Sequence, residues 1–239
     1  MDNTTTAITD ETDDIDRLAR WAREQPGKVA VRMIDGDLIW TLNFAELDEQ
    51  SRRAAHWLIG LGLSEGESIA LLMENRLDLF VLAWGARRAG LYYTPVSPHL
   101  HASEVAYILN DCGAQLLVGT QHTLALARQI GSHPQAGDWG GLRYLMSSDA
   151  PGWGRVDKEL ARQTPAAPLP RRAVGRDFLY SSGTTGKPKG IKRPLAPYAD
   201  RLRDGFEAVL WREYFSLGRD SIYLTMAPLY HAAPLRTVM

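Results

Sequence analysis

An internal disulfide is the first thing this chain cannot have. Its 239 residues include one cysteine, Cys112. A lone thiol suits a reducing compartment, so the expected location is the cytoplasm. Long apolar runs are also missing. None approaches the ~18 residues of a membrane-spanning helix. Charge bias is absent too, with 27 Lys and Arg against 28 Asp and Glu. That leaves no bulk electrostatic basis for binding nucleic acid, and none is expected as a partner. The N-terminus has neither the basic start nor the apolar centre of a secretory signal. Residues 1–14, rich in Thr and Asp, read as a disordered acidic tail. The histidines form no cluster in sequence. His99 and His101 stand as a pair with no third ligand at motif spacing, so they read as a surface loop.

What the chain does have is one dense polar run, Tyr180-Ser181-Ser182-Gly183-Thr184-Thr185-Gly186-Lys187-Pro188-Lys189-Gly190. Glycines let a backbone approach a ligand closely. Serine and threonine hydroxyls, free N–H groups and lysine ammoniums then suit a polyphosphate. The apolar Asp177–Tyr180 before it reads as a short buried strand, so the run leaves a strand end. Two better-known motifs fail here. A Walker A loop would need Gly where Ser181 stands, and a hydroxyl residue where Pro188 follows Lys187. The nucleophile elbow G-x-S-x-G is absent, so Ser181 and Ser182 lack that support as nucleophiles.

The rest of the chain alternates strand and helix. Expected elements are a helix over Ile15–Glu24, a hairpin Val29–Ile34 and Leu38–Leu42 turning at Asp35-Gly36, and a helix opened by a capping box at Asn43–Glu46. Ser68–Met73 is a continuous apolar run, as in a strand covered on both faces. Asn75 is expected to cap the next helix, Leu77–Ala89. Then come Tyr92–Val96 as a strand edge, a helix over Ser103–Leu109, a strand over Gln115–Val118, a helix over His122–Ile130 and a strand over Leu142–Met146. Asp149–Arg172, rich in Pro and Gly, reads as irregular with one helical turn near Val156–Ala161. Tyr198–Phe215 has helical spacing, and Ser221–Met226 reads as a strand. The pattern is that of an α/β fold, a layered α/β/α arrangement with largely parallel sheets. The chain stops at Met239 just after an apolar run, which suggests a truncated protein; residues 15–239 read as one partial domain.

The Ser-Ser-Gly-Thr-Thr-Gly-x-Pro-Lys-Gly run resembles the signature of the adenylate-forming, AMP-binding superfamily. That group includes acyl-CoA synthetases, luciferases and the adenylation domains of peptide synthetases. Two further stretches are similar to the family: Ala89–Pro95 with Glu104–Cys112, which is structural there, and Ala227-Pro228-Leu229-Tyr230-His231. The resemblance implies the N-terminal part of the large domain of such an enzyme. Later family elements lie outside the sequence: the ribose-holding aspartate, the hinge, and the small domain with its adenylation lysine. One departure is that Ile191-Lys192-Arg193-Pro194 follows Gly190, where many members have a Thr-His pair.

By this resemblance Ser181, Ser182, Gly183, Thr184, Thr185 and Gly186 would grip the ATP phosphates. Lys187 and Lys189 would add charge, and Thr184 would contact magnesium through Mg-ATP. Tyr230 and His231 would sit beside the acyl group. The implied reaction is ATP-dependent activation of a fatty or aromatic acid, followed by transfer to coenzyme A. The stretch 1–239 alone is expected to be inactive. Two alternatives stand: an amino-acid adenylation domain loading a carrier protein, and a non-catalytic nucleotide-binding remnant.

Overall fold

The computed structural model describes residues 16–131, 133–134, 139–181, 187–203 and 206–239. The expected acidic tail, 1–14, lies outside them. Helix α1, Arg17–Glu24, starts where the Asp16 carboxylate accepts the Ala19 N–H at 2.8 Å. Strands β1 (Val29–Asp35) and β2 (Leu38–Asn43) form a separate antiparallel hairpin. Its turn is Gly36-Asp37, one place later than expected, with Gly36 in the left-handed region at φ 57°. Helix α2, Phe44–Gly60, opens on the expected capping box. Asn43 Oδ1 accepts the Glu46 N–H, and Glu46 accepts the Asn43 N–H, both at 2.8 Å.

The main sheet follows from here. Its strands are β3 (Ser68–Leu72), β4 (Tyr92–Val96), β5 (Ala114–Gly119), β6 (Leu142–Leu145), β7 (Gly154–Arg155), β8 (Arg176–Ser181) and β9 (Lys189–Lys192). They lie in the order β7-β6-β5-β3-β4-β8-β9. Every pairing is parallel except β8 with β9. Strand β3 shows why its sequence reads as continuous. Ile69 and Leu71 enter one core, with α2 and with α3 (Leu77–Arg88), while Ala70 and Leu72 enter a second core. That second core contains α4 (Ala102–Asp111) and α5 (Leu124–Gly131). A strand covered on both faces has no polar side to show. The fold is therefore the expected layered α/β arrangement with a largely parallel sheet. Close packing of the first layer needs Gly85. A Cβ there would come 2.5 Å from Ala54 Cβ on α2.

Several local expectations are corrected. Strand β4 is not an edge but lies between β3 and β8, with all five residues buried. Pro95 is tolerated because β8 pairs with β4 only at Tyr92 and Tyr93. The 149–172 stretch contains, besides the expected turn α6 (Val156–Ala161), the short strand β7 on β6. The helix expected over 198–215 is divided into a 3-10 turn, Tyr198–Asp200, and helix α7, Phe206–Phe215. Between them the sequence carries Asp204 and Gly205, both poor helix formers. Ser221–Met226 forms no strand, since no described edge pairs with it. Ile222 and Met226 are 97% and 92% exposed. Helix α8, Ala232–Val238, follows. Among the described residues no helix is long and apolar enough to cross a membrane.

Candidate functional site

The two ends of the polar run lie on paired antiparallel strands. Strand β8 leads into it and β9 returns, with Ser181 opposite Lys189 and Tyr180 opposite Gly190. Strand β9 was not expected, because Lys189–Lys192 is exposed and has no apolar face to betray it. Ser181, Lys187 and Lys189 are exposed at the base of the hairpin. Ser182, Gly183, Thr184, Thr185 and Gly186 lie outside the described residues, and with them the expected magnesium contact at Thr184. Gly190 is needed for the hairpin to close. A Cβ there would stand 2.7 Å from the Phe178 ring and 3.0 Å from that of Tyr180. These two rings stack at 5.4 Å.

Tyr180 donates its hydroxyl to Asp111 Oδ2 at 2.5 Å. Burial, and then the facing carboxylate, raise the Tyr180 phenol above its ordinary value, so it stays a donor. On the returning side, the Lys187 ammonium lies 5.5 Å from the centre of the Tyr107 ring.

Because β8 is parallel to β4, its end at Ser181 faces the carboxyl side of the sheet, where open α/β sheets bind ligands. Other groups gather past the same strand ends. Asn75 follows β3, and its side-chain carbonyl accepts the Leu229 N–H at 2.9 Å. It does not cap α3 as expected; that helix starts at Arg76 without a side-chain cap. The bond fixes the turn of Ala227–His231. There the His231 N–H donates to the Pro228 carbonyl at 3.1 Å, and α8 starts after His231. Tyr230 is half-buried and His231 is exposed, their rings 4.7 Å apart. His99, expected as plain surface loop, meets the Tyr230 ring edge-on at 6.4 Å. Thr120, past β5, donates to Glu74 Oε2 at 2.8 Å, and Arg76 donates to Glu74 Oε1 at 3.1 Å. Burial pushes the Glu74 carboxyl up, but the backbone, Thr120 and Arg76 donors outweigh it and hold it low.

The hairpin base and the Tyr230–His231 turn are thus both sited by strand ends or bonds to them. Sequence spacing gave no signal for Asn75 or His99, which come from distant segments. Asp111 was visible only as the acidic end of a helix. Among the described residues, no three His, Cys, Asp or Glu side chains are grouped to hold a metal. The described groups at the hairpin base, Ser181, Lys187 and Lys189, suit an anion rather than a bare cation.

Residues 18–239 match the AMP-binding enzyme family. The chain is 29% identical over 215 residues to phosphinothricin tripeptide synthetase PhsB of Streptomyces viridochromogenes, covering 89% of this chain and 16% of that protein. It is 28% identical over 231 residues to the long-chain-fatty-acid–CoA ligase FadD13 of Mycobacterium tuberculosis, covering 92% of this chain and 42% of the relative. Among solved structures, an acyl-CoA synthetase from Brucella canis superposes with a TM-score of 0.73 at 21% identity, over 92% of this chain and 40% of the other. The chain spans less than half the length of each of these relatives.

Proposed function

The chain belongs to the AMP-binding enzyme family, and from that premise we propose that it forms the nucleotide-gripping part of an ATP-dependent carboxylate ligase. A substrate carboxylate oxygen attacks the α-phosphorus of ATP. The bond to the bridging oxygen breaks, pyrophosphate leaves, and an acyl-adenylate remains. The thiolate of coenzyme A then attacks the acyl carbonyl and AMP departs.

The obstacle in the first step is an anion approaching a polyanion. Magnesium arriving with ATP offsets part of that charge. The hairpin offsets more, with Ser181 and the residues 182–186 donating to the β- and γ-phosphates and Lys189 adding charge. Lys187, on the same returning side, adds more. Tyr230 and His231 flank the acyl group. The observation that carries this reading is the register Ser181↔Lys189 at the carboxyl edge of the sheet, which sets hydroxyl and ammonium groups at one hairpin base. Fatty and aromatic acids are the favoured substrates, and the cytoplasm, which supplies ATP and coenzyme A, is the favoured setting.

A second reading, an amino-acid adenylation domain loading a carrier protein, is supported by the similarity to PhsB. Carboxylate-dependent ATP–pyrophosphate exchange tests both. The full enzyme containing these residues is assayed with fatty, aromatic and amino acids, alongside Thr184→Ala and Lys189→Ala. Exchange driven by fatty or aromatic acids, and lowered at least tenfold in both variants, is the expected result. Exchange driven by amino acids alone selects the second reading. Unchanged exchange in both variants removes the assignment of the loop.

A further inference from the structure

A second cationic place lies at the other end of β8, away from the hairpin base. There a cavity of about 480 Å³ opens beside residues 174–177. Its charged lining is lopsided, with seven arginines. Arg17 comes from α1, Arg87 from α3, Arg176 from β8 and Arg236 from α8. Arg193, Arg201 and Arg203 come from the stretch between β9 and α7. Among the described residues, the carboxylates in the same lining are Asp177 and Asp200.

The way these groups are held matters as much as their number. Asp177 is buried and accepts from Arg193 at 3.2 Å and from Arg236 at 2.7 Å, so two positive charges share one negative one. Arg203 lies 3.1 Å from Asp200. Arg176 donates to the Pro194 carbonyl at 2.9 Å. The Arg201 guanidinium lies 4.2 Å from the Tyr198 ring centre, and that of Arg87 lies 5.1 Å from the Trp84 ring centre. Carbonyls and rings orient a guanidinium without cancelling its charge.

Like charges gathered around a hollow repel one another, and a cleft of one sign concentrates counter-ions. Arginine forks take phosphate oxygens two at a time. The volume is that of a small-molecule pocket. Because the arginines converge from several segments, they enclose a compact anion better than they meet a flat lipid surface. Strand β8 rises roughly 17 Å from Arg176 to Ser181, which separates this cavity from Ser181 and Lys189.

We propose that this cavity is a binding site for a free oligophosphate anion, of the class of pyrophosphate or tripolyphosphate, with Arg176 and Arg201 among its donors. Such a site does not depend on whether ATP is held at the hairpin base.

The test is calorimetric titration of the 239-residue chain with inorganic tripolyphosphate. The variants are Arg176→Gln/Arg201→Gln, the charge-keeping Arg176→Lys/Arg201→Lys, and Lys187→Ala/Lys189→Ala at the hairpin base. Urea melts check that each one folds; if the glutamine pair does not, Arg203→Gln, at an exposed position, replaces it. Expected are saturable binding by the wild type and an affinity lower by about tenfold or more in the glutamine variant. The lysine pair should regain most of that loss, and binding should persist in Lys187→Ala/Lys189→Ala. Binding that survives the glutamine substitutions, or that disappears with Lys187 and Lys189, would overturn the proposal. So would sedimentation with phosphatidic acid vesicles and no binding of tripolyphosphate, which would put the phosphate on a lipid. Binding by residues 1–239 that is lost in the full enzyme would assign the cavity to contacts with the rest of the protein, and would overturn it as well.

Discussion

Asn75 accepts the backbone N–H of Leu229 at 2.9 Å, across 154 positions of sequence. One side-chain amide past the end of β3 thereby fixes the turn that presents Tyr230 and His231. Replacing Asn75 by Ala removes the acceptor and frees that turn. A buried or half-buried bond of this kind contributes about 1 kcal/mol. The expected outcome in the full enzyme is a carboxylate KM raised roughly fivefold, with the KM for ATP unchanged. Steady-state kinetics with each substrate varied in turn would check it. An ATP effect as large as the carboxylate effect would argue that Asn75 serves the sheet edge at large.

Arg88 sits at the centre of a buried ion network. Its guanidinium donates to Asp16 at 2.5 and 2.9 Å, to Asp48 Oδ1 at 2.5 Å, and to Ser51 Oγ at 2.9 Å. Removing one member strands the others. Arg88→Met is expected to cost about 3–5 kcal/mol in a urea melt, and a loss below 1 kcal/mol would contradict this.

The same network sets an acid limit. Burial pushes the Asp16 carboxyl up, but Arg88 and the Ala19 N–H outweigh it and hold it below the ordinary value. A carboxyl lowered by folding lends stability above its unfolded pKa of about 3.9 and loses it as pH falls through the folded value. Unfolding free energy should therefore be level from neutrality down to about pH 4 for this group, then decline. Asp16→Asn should flatten that decline. Equal acid sensitivity in the variant would assign the effect elsewhere.

Gly175 begins the approach to β8. A Cβ there would lie 2.3 Å from the Leu91 carbonyl oxygen and 2.5 Å from that of Ala86. Backbone atoms cannot swing aside as a side chain can. Gly175→Ala is expected to destabilise by about 3 kcal/mol, measured by urea unfolding, and to shift β8 away from β4. Wild-type stability would show that the strand ends adjust freely.

Cys112 is 4% exposed, and burial pushes its thiol up to about 11. The thiolate is the reactive form. Iodoacetamide at pH 8 should leave the native chain unmodified and alkylate it fully in urea, as read by mass spectrometry. Rapid labelling of the native chain would mean that α4 opens.

How much was legible depended on whether the signal was local. Ser68–Met73 announced a strand covered on both faces because every residue there is apolar. Asn43–Glu46 announced a helix start because its bonds close within one turn. Asp177–Tyr180 announced a strand just ahead of the polar run, and β8 ends at Ser181. Strand β9 was hidden because Lys189–Lys192 pairs by backbone and buries nothing. Asn75 was misread because a capping position is a local inference and its bond is distant. Ser221–Met226 misled in the opposite sense: its residues suit a strand, but a strand also needs a neighbour with free N–H and C=O groups.

That last segment has a practical side. Ile222, Leu224 and Met226 stand in water on a stretch with high β-propensity and little charge. Such windows template intermolecular zippering. Preparations of residues 1–239 will clump as they are concentrated, and Leu224→Lys, which interrupts the oily face at its centre, should keep them in solution.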